Sequence, residues 1–428
     1  MIKAFDEKTM KKIRKSFYYV DRDIDGRKRI FFENSGGSFR LKNAVKAKAY
    51  YESIPDCPER THKRAQELIA VQKKAEEDIL RVIFNASGGV LDCALTASQL
   101  NFKLAETVAE NVGGKNIVTT CLEHPSSYDA AKYCAEKYGM ELRVAKANPE
   151  TGAVDVGEIV KLVDKDTCFL SVMYASNISG AVMDIENIVK RARAIKPDLY
   201  IICDAVQHIM HGVADLRKTP VDAMIFAPYK FFCTRGSGYA YISDRLSVLR
   251  HHKLLGKAEN VWELGSPTPS NFAAVSAVVD YVCALGKTEL KSGERRDLFV
   301  RGMTMIRNHE TALYHRLLHG SEKQKGLSDI KGVKVLFNNG GLENKDLILG
   351  IAFDGIDYAD AVAEYAKRGV TVYERITSSI YSERMLKALN VGGCVRVSPL
   401  HCNNFDDVDE FLRRTENISR SFENVKQI

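Results

Sequence analysis

The sequence predicts an α/β protein with two units. A large one is built on a mainly parallel sheet, and a small α+β one follows toward the C-terminal end. Three observations lead there. From about residue 94 to 245, short all-apolar runs alternate with amphipathic helical ones, the pattern of parallel strands covered on both faces. From about residue 333 the alternation resumes on a smaller scale. The chain has 428 residues, too many for one small core.

Residues 1–28 read as an N-terminal helical arm, with Lys3–Lys15 as its amphipathic helix and a polar turn at Asp21–Arg27. Arg29–Phe32 is a short strand. It is closed by Glu33-Asn34-Ser35-Gly36-Gly37-Ser38, whose glycines permit close backbone approach to a ligand or simply make a tight turn. Residues 40–85 are largely helical, dominated by Ala, Glu, Lys and Leu from Arg64 to Arg81. In the alternating stretch, helices are expected at Leu95–Asn111, Ser126–Tyr138, Val156–Val163 and Ile185–Ile195. Strands are expected at Asn116–Thr120, Glu141–Val144, Thr167–Val172, Leu199–Cys203 and Ala223–Phe226, with a further strand-like run ending at Ile242. Phe272–Leu285 is an apolar helix and Arg295–Leu318 a long amphipathic one, together a bridge into the second unit. There, strands Val333–Phe337, Leu347–Phe353, Val370–Tyr373 and Cys394–Ser398 alternate with helices Ala359–Arg368 and Asp406–Ile418. The large domain is assigned to residues 29–285, and the bridging helix with the small domain to 286–428.

Hydrophobic residues make up 45% and charged residues 27%, ordinary for a globular chain. The net charge of +7 is spread without a basic tail, so no nucleic-acid partner is expected. No apolar run approaches a membrane span, and the N-terminus lacks an apolar signal core, so no membrane association is expected. The ten cysteines are scattered without a CxxC pair. Neither a metal site nor a disulfide framework is indicated, and a cytoplasmic location fits.

Ligands of such sheets bind beyond the carboxyl ends of the strands. After Thr120 comes Glu123-His124-Pro125-Ser126-Ser127. After Val172 comes Ser176-Asn177-Ile178-Ser179-Gly180. After Cys203 comes Asp204-Ala205-Val206-Gln207, and after Phe226 comes Ala227-Pro228-Tyr229-Lys230. Taken singly these have plain explanations: helix caps for Asp204 and Ser126, and a lysine stem lying on apolar neighbours for Lys230. Together they place an imidazole, an amide, a carboxylate and an amine on one rim. Desolvation among Pro228, Tyr229 and Phe231 would lower the ammonium pKa of Lys230 and make it a nucleophile. Pyridoxal phosphate chemistry needs this set. The amine holds the cofactor as a Schiff base and moves the Cα proton, a carboxylate faces the pyridine nitrogen, and a flat group stacks on the ring. N–H groups at a helix start hold the phosphate.

These fragments resemble the class V aminotransferase-fold enzymes that use pyridoxal phosphate, the group containing cysteine desulfurases, selenocysteine lyases and isopenicillin epimerase-like proteins. The resemblance runs from about Phe31 to Phe411. It is carried by Asp204-Ala205-Val206-Gln207 with Lys230 and Arg235-Gly236-Ser237-Gly238, by Glu123-His124-Pro125-Ser126-Ser127, and by Ser176 to Gly180. Gly265-Ser266-Pro267 and Cys394-Val395-Arg396-Val397-Ser398 add to it. It implies the fold type I of pyridoxal-phosphate-dependent transferases, with a mainly parallel seven-stranded sheet in the large domain. It also implies roles. Lys230 binds the cofactor covalently, Asp204 pairs with the pyridine nitrogen, Gln207 bonds the ring hydroxyl and His124 stacks on the ring. Asn177 lies near the ring hydroxyl and the substrate carboxylate. Ala97 and Ser98, in Thr96-Ala97-Ser98-Gln99, form the phosphate turn, with Tyr229 as a further phosphate donor. Ser266 reaches a phosphate across a homodimer interface that shares the active sites. Arg396 clamps the substrate carboxylate, and Asn34 joins the substrate contacts.

The chain departs from the family pattern in three places. Ala227 and Tyr229 replace the usual serine and histidine before the lysine, and Thr96 replaces the glycine that starts the phosphate turn. No cysteine occupies Val372–Tyr381, where desulfurases carry the thiolate that accepts sulfur; Cys394 and Cys402 flank Arg396 instead. The expected activity is Cα deprotonation of a small amino acid by Lys230 and C–S (or C–Se) lysis, as in a cysteine desulfurase-like lyase. Transamination or epimerisation at the same site, and a non-catalytic scaffold, are the alternatives. Arg375 and Tyr373 either line the substrate side-chain pocket or are solvated strand-end residues.

Overall fold

The computed structural model describes residues 3–425. The extremes of the first and last assigned segments, residues 1–2 and 426–428, lie outside the described residues. Thirteen strands are formed among the described residues: β1 (Ile30–Phe31), β2 (Val90–Ala94), β3 (Asn116–Thr120), β4 (Glu141–Ala145), β5 (Thr167–Met173), β6 (Tyr200–Asp204) and β7 (Ala223–Phe226), then β8 (Gly238–Ile242), β9 (Val333–Leu336), β10 (Leu349–Phe353), β11 (Val370–Thr371), β12 (Tyr373–Ile376) and β13 (Gly393–Val397).

A seven-stranded sheet has the order β2-β8-β7-β6-β5-β3-β4. Pairing is parallel from β4 through β3, β5 and β6 to β7, while β8 runs against both β7 and β2. This is the mainly parallel sheet expected from the all-apolar runs. Their composition follows from double burial. Ile201, Cys203, Met224 and Phe226 enter one core, whereas Ile202, Ala223, Ile225 and Ala240 enter the core on the opposite face. Alternation along a strand sends neighbours to opposite sides, so a strand with two buried faces has no polar positions to show.

A second sheet, β12-β13-β10-β9, is antiparallel and belongs to the small α+β unit. Its core also takes Ile30 and Phe32, because β1 pairs in parallel with β11 and Glu33 bridges to Ser398. The stretch just after the N-terminal arm therefore packs on the C-terminal unit. The helices Pro269–Gly286 and Arg295–His319 connect the two. They meet through glycine: a Cβ on Gly286 would come 1.9 Å from the carbonyl oxygen of Leu298.

Among the described residues no helix is long and apolar enough to cross a membrane, and no cluster of three metal-ligating side chains occurs. Several short elements were not expected from the sequence, β2 and the helix Glu383–Ala388 among them. β2 reads Val90-Leu91-Asp92-Cys93-Ala94, and its buried Asp92 breaks the apolar signature while bonding Lys103 at 2.7 Å. The helix Glu383–Ala388 follows the expected small-unit strand and is too short for a periodic signal.

Candidate active site

The carboxyl ends of β3, β5, β6 and β7 converge on a cavity of about 360 Å³, within the roughly 300–1,000 Å³ of small-molecule sites. His124, Asn177, Asp204, Gln207, Tyr229 and Lys230 line it, together with Ala97 and Ser98. All eight were expected site residues, and the fold brings them together.

Lys230 closes a short 3₁₀ turn, Pro228–Lys230, directly after β7. Pro228 presets that turn and Lys230 is left buried, 8% exposed. Its Nζ donates to Oε1 of Gln207 at 3.1 Å. Burial, and next the charge of Arg396, push its pKa down to about 7 against the upward pull of Asp204. The amine is thus substantially uncharged near neutral pH, the form that acts as a nucleophile or base.

Asp204 ends β6 and points its carboxylate into the cavity. Oδ2 accepts from Asn101 Nδ2 at 3.3 Å and Ser127 Oγ at 3.2 Å, and Oδ1 accepts from the Val206 amide at 3.0 Å. Three donors fix its plane. Gln207 spends its oxygen on Lys230, and its Nε2 is buried without a partner. A buried amide hydrogen left over in this way implies an acceptor supplied by a ligand.

His124 caps the helix Pro125–Tyr138; its Nδ1 accepts from the Ser126 amide at 3.2 Å and lies 2.8 Å from Ser126 Oγ. Burial pushes its pKa down to about 4 despite the pull of Asp204. A neutral, flat imidazole results. Glu123, beside it, is fully buried, accepts from Thr120 Oγ1 and the Met173 amide, and is pushed up to about 8 by burial.

The helix Ala97–Val112 aims its N-terminus at the cavity. Thr96 is committed to capping, accepting from the Gln99 amide at 3.2 Å, which leaves the Ala97 and Ser98 amides outside the helical ladder. Gly238 makes room for this end: a Cβ there would lie 2.5 Å from Ala97 N and 2.6 Å from Thr96 C. Arg235, exposed, also lines the cavity and stacks its guanidinium 4.2 Å from the Tyr229 ring centroid. The sequence shows Arg235 only as part of a glycine motif, since nothing in the spacing says which way a loop arginine turns.

Asn177 is held by a turn in which Ser176 Oγ accepts from the amides of Ile178 and Ser179, both at 3.2 Å. Gly180, at φ 71°, brings this loop against the small unit; a Cβ would meet Ile348 O at 2.5 Å. Arg396, on β13, donates from Nη1 to Asn177 O at 2.9 Å and from Nη2 to Glu33 Oε1 at 2.6 Å. It is 2% exposed and adjoins the cavity through Asn177. Asn34 is placed differently. Its Nδ2 donates to Ser398 O at 3.0 Å and its Oδ1 accepts from the Phe39 amide at 3.1 Å, so its amide braces the loop from behind. Ser266 lies in a neighbouring cavity that shares Leu95, Gly236 and Ser237 with the main one.

The two cysteines around Arg396 are sealed. Burial pushes Cys394 up to about 12 and Cys402 well above the ordinary thiol range. His401, 3.8 Å from Cys402 Sγ, is pushed well down by burial and carries no charge to activate it.

The residues fit pyridoxal phosphate on the chain's own terms. They supply an uncharged buried amine, a fixed carboxylate, an orphaned amide donor, a flat neutral imidazole and a helix N-terminus that a glycine keeps open.

The chain is similar to known proteins in sequence and in fold. The family model described as Aminotransferase class-V matches residues 30–411. A probable cysteine desulfurase of Borreliella burgdorferi is 24% identical over 437 residues, covering 96% of each chain. A cysteine desulfurase of Pectobacterium carotovorum is 28% identical over 197 residues, 42% of this chain and 48% of that one. In structure, the apo cysteine desulfurase of Thermococcus onnurineus superposes with a TM-score of 0.80 at 20% identity, over 96% of this chain and 98% of that one, which establishes the shared fold.

Proposed function

The chain belongs to the class-V aminotransferase family. On that premise we propose that it binds pyridoxal phosphate and cleaves the C–S (or C–Se) bond of a small cysteine-like amino acid after removing its Cα proton. The observation that carries this reading is the Lys230 amine. It is buried, pushed down to about 7, and set 3.1 Å from Gln207 in a cavity it shares with Asp204 and His124.

Lys230 would hold the cofactor, Asp204 would meet its ring nitrogen, and Gln207 Nε2 its ring hydroxyl. The Ala97 and Ser98 amides, with Tyr229, would hold its phosphate. When bound, that group supplies the electron sink that makes a Cα–H acidic. The chain supplies the rest. Arg396 binds the substrate carboxylate with a guanidinium anchored on Glu33 and Asn177, which fixes Cα relative to Lys230. The Lys230 amine, once free of the cofactor, takes the Cα proton; its depressed pKa lets it act as a base near pH 7. His124, neutral, covers the site without competing for that proton. The sealed thiols of Cys394 and Cys402 favour release of sulfur to solvent over transfer to either cysteine. With cysteine as substrate and water consumed, the products are pyruvate, ammonia and hydrogen sulfide. The protein works as a cytoplasmic homodimer, with the exposed Ser266 completing the partner's site; family likeness supports this part.

Incubation with pyridoxal phosphate should give the long-wavelength absorbance of a lysine-bound cofactor, and Lys230→Ala should lose it with its fold intact. Product analysis then separates the chemistries. Sulfide with pyruvate supports the proposal, a keto acid formed only with an acceptor means transamination, and loss of optical activity means epimerisation. A wild-type protein that never takes up the cofactor would be a scaffold.

A further inference from the structure

One element of the small unit reaches into the large one. The helix Glu383–Ala388 buries Met385 and Leu386 in the core that also takes Leu122, just after β3, and Met173, at the end of β5. Ser382 fixes its entry. Its Oγ donates to the Ile376 carbonyl at 2.9 Å and its amide to the Ser379 carbonyl at 2.9 Å, so the chain turns tightly out of β12. The turn leaves Arg384 facing the loop that carries His124.

The Arg384 guanidinium brackets that histidine. Nη2 donates to the Glu123 carbonyl at 2.6 Å, in the peptide that leads into His124, and Nη1 donates to the Cys121 carbonyl. Its Cζ lies 3.9 Å from the ring centroid of Tyr128, in the helix that His124 caps. One side chain thus touches the chain on both sides of the imidazole. The Ser127 and Tyr128 amides both go to the His124 carbonyl, which leaves the Glu123 carbonyl to the guanidinium. Two donors fixed in one plane hold two acceptors at a set spacing, which a lysine cannot do. Docking alone needs no such fork, because Met385 and Leu386 already bury the helix. The charge of Arg384 acts on the same ring. Burial keeps His124 uncharged; Asp204 pulls against this, and Lys230, Arg375 and Arg384 add to it.

We propose that Arg384 is a positioning residue for His124, holding the imidazole in one place and one orientation on the cavity wall from the small unit. This placement rests on the function proposed above, in which His124 covers the cofactor. His124 Nδ1 accepts from the Ser126 amide, so the ring proton stands on Nε2 and the ring presents one tautomer. Without the fork the Cys121 and Glu123 carbonyls turn to water, the loop gains freedom and the ring loses its fixed face. Arg384 and Arg396 belong to the same small unit, in the stretch from β12 to β13. The group that covers the cofactor and the group that binds the substrate carboxylate are therefore set by one body.

The test reads His124 directly in the cofactor-free protein, by nitrogen NMR of histidine-labelled chain, with His124→Gln identifying its signals. In the wild type the ring should stay in the Nε2–H form and take its second proton only near pH 4. In Arg384→Met the midpoint should rise by about one pH unit or more, as water reaches the loosened ring and a positive charge is lost, and the nitrogen shifts should move toward a tautomer mixture. Arg384→Lys, which keeps the charge without the fork, should fall between the two. Loaded with pyridoxal phosphate, both variants should also show a displaced absorbance maximum of the bound cofactor. Unchanged ring signals in Arg384→Met overturn the proposal. So does an unchanged cofactor absorbance beside altered ring signals, since the imidazole is then not held for the cofactor. Should the methionine variant not fold, the lysine variant decides by the same two readings. A wild-type protein that takes up no cofactor sinks the proposed function, and the ring signals still decide whether Arg384 places His124.

Discussion

Replacing Lys230 by methionine in the cofactor-free protein should stabilise it, and by an amount that depends on pH in a defined way. In the folded chain the ammonium pKa falls from 10.5 to about 7 because the group is buried next to Arg396. The unfolded chain holds its proton up to about pH 10.4. Between these values the unfolded state binds more protons, so wild-type stability rises with pH across that window. Below pH 7 the whole penalty of a buried ammonium is present; above the unfolded pKa it is gone. At about 1.4 kcal/mol per pH unit the penalty has a ceiling of ~5 kcal/mol. Access of water from the cavity and the bond to Gln207 reduce this to about 3 kcal/mol. Methionine fills a similar volume but strands the Gln207 oxygen, which costs about 1 kcal/mol at every pH. The net expectation is a gain of about 2 kcal/mol at pH 6, a few degrees in Tm, turning into a loss of about 1 kcal/mol by pH 10.5. Paired thermal melts at pH 6, 8 and 10 measure it. Lys345, also pushed down to about 7 by burial, adds the same slope to both proteins and cancels in the difference. Parallel wild-type and variant curves would refute a depressed Lys230 and with it the nucleophile argument.

Four further expectations follow from the same contacts. Asp204→Asn keeps one oxygen able to accept from Asn101 and Ser127 but turns its NH2 toward the Val206 amide, so stability should fall by only about 1 kcal/mol while kcat falls about 100-fold, the loss typical of one preorganised charge. Arg396→Gln should raise KM and, by leaving Glu33 unpaired, lower stability by about 3 kcal/mol, which Glu33→Gln in the same chain should largely restore. Glu123, pushed up from 4.5 to about 8, keeps its proton when the unfolded chain has lost it. Stability should therefore decline as pH rises from about 4.5 to 8, and Glu123→Gln should flatten that decline in pH-dependent melts. Sulfide release should survive within about twofold in a Cys394→Ala, Cys402→Ala double variant, because sealed protonated thiols are poor sulfur acceptors.

The large sheet was legible because double burial erases polar positions from its strands, and the cavity because those strands deliver their ends to one rim. Legibility failed where a residue's partner comes from far along the chain. Arg396 spans 363 residues to Glu33, and Asn34 is tied across a similar distance to Ser398. Glu33 read as one polar residue in a glycine turn, and β1 pairing with β11, with the bridge from Glu33 to Ser398, carries that turn to the small unit. Arg375 was equally a pocket residue or a solvated strand end until the register of β12 against β13 placed it beside Arg396. Thr96, unpromising as a substitute for glycine, proved to be the cap that frees the next two amides, while the conformational room it lacks is provided across the gap by Gly238.

The same register bears on how Lys230 is set to work. The charge that depresses it most, after burial itself, is that of Arg396; Asp204 and Glu33 pull the other way. A substrate carboxylate arriving at Arg396 cancels that depressing charge. In the cofactor-free chain the amine is thus kept weakly basic, with a large part of it unprotonated near pH 7. With that guanidinium neutralised its affinity for a proton rises, at the stage when it has to take one from Cα. Raising the lysine's pKa permanently would leave it protonated when the cofactor arrives; depressing it permanently would make it a poor acceptor. Placing the controlling charge on the residue that holds the substrate's carboxylate avoids both.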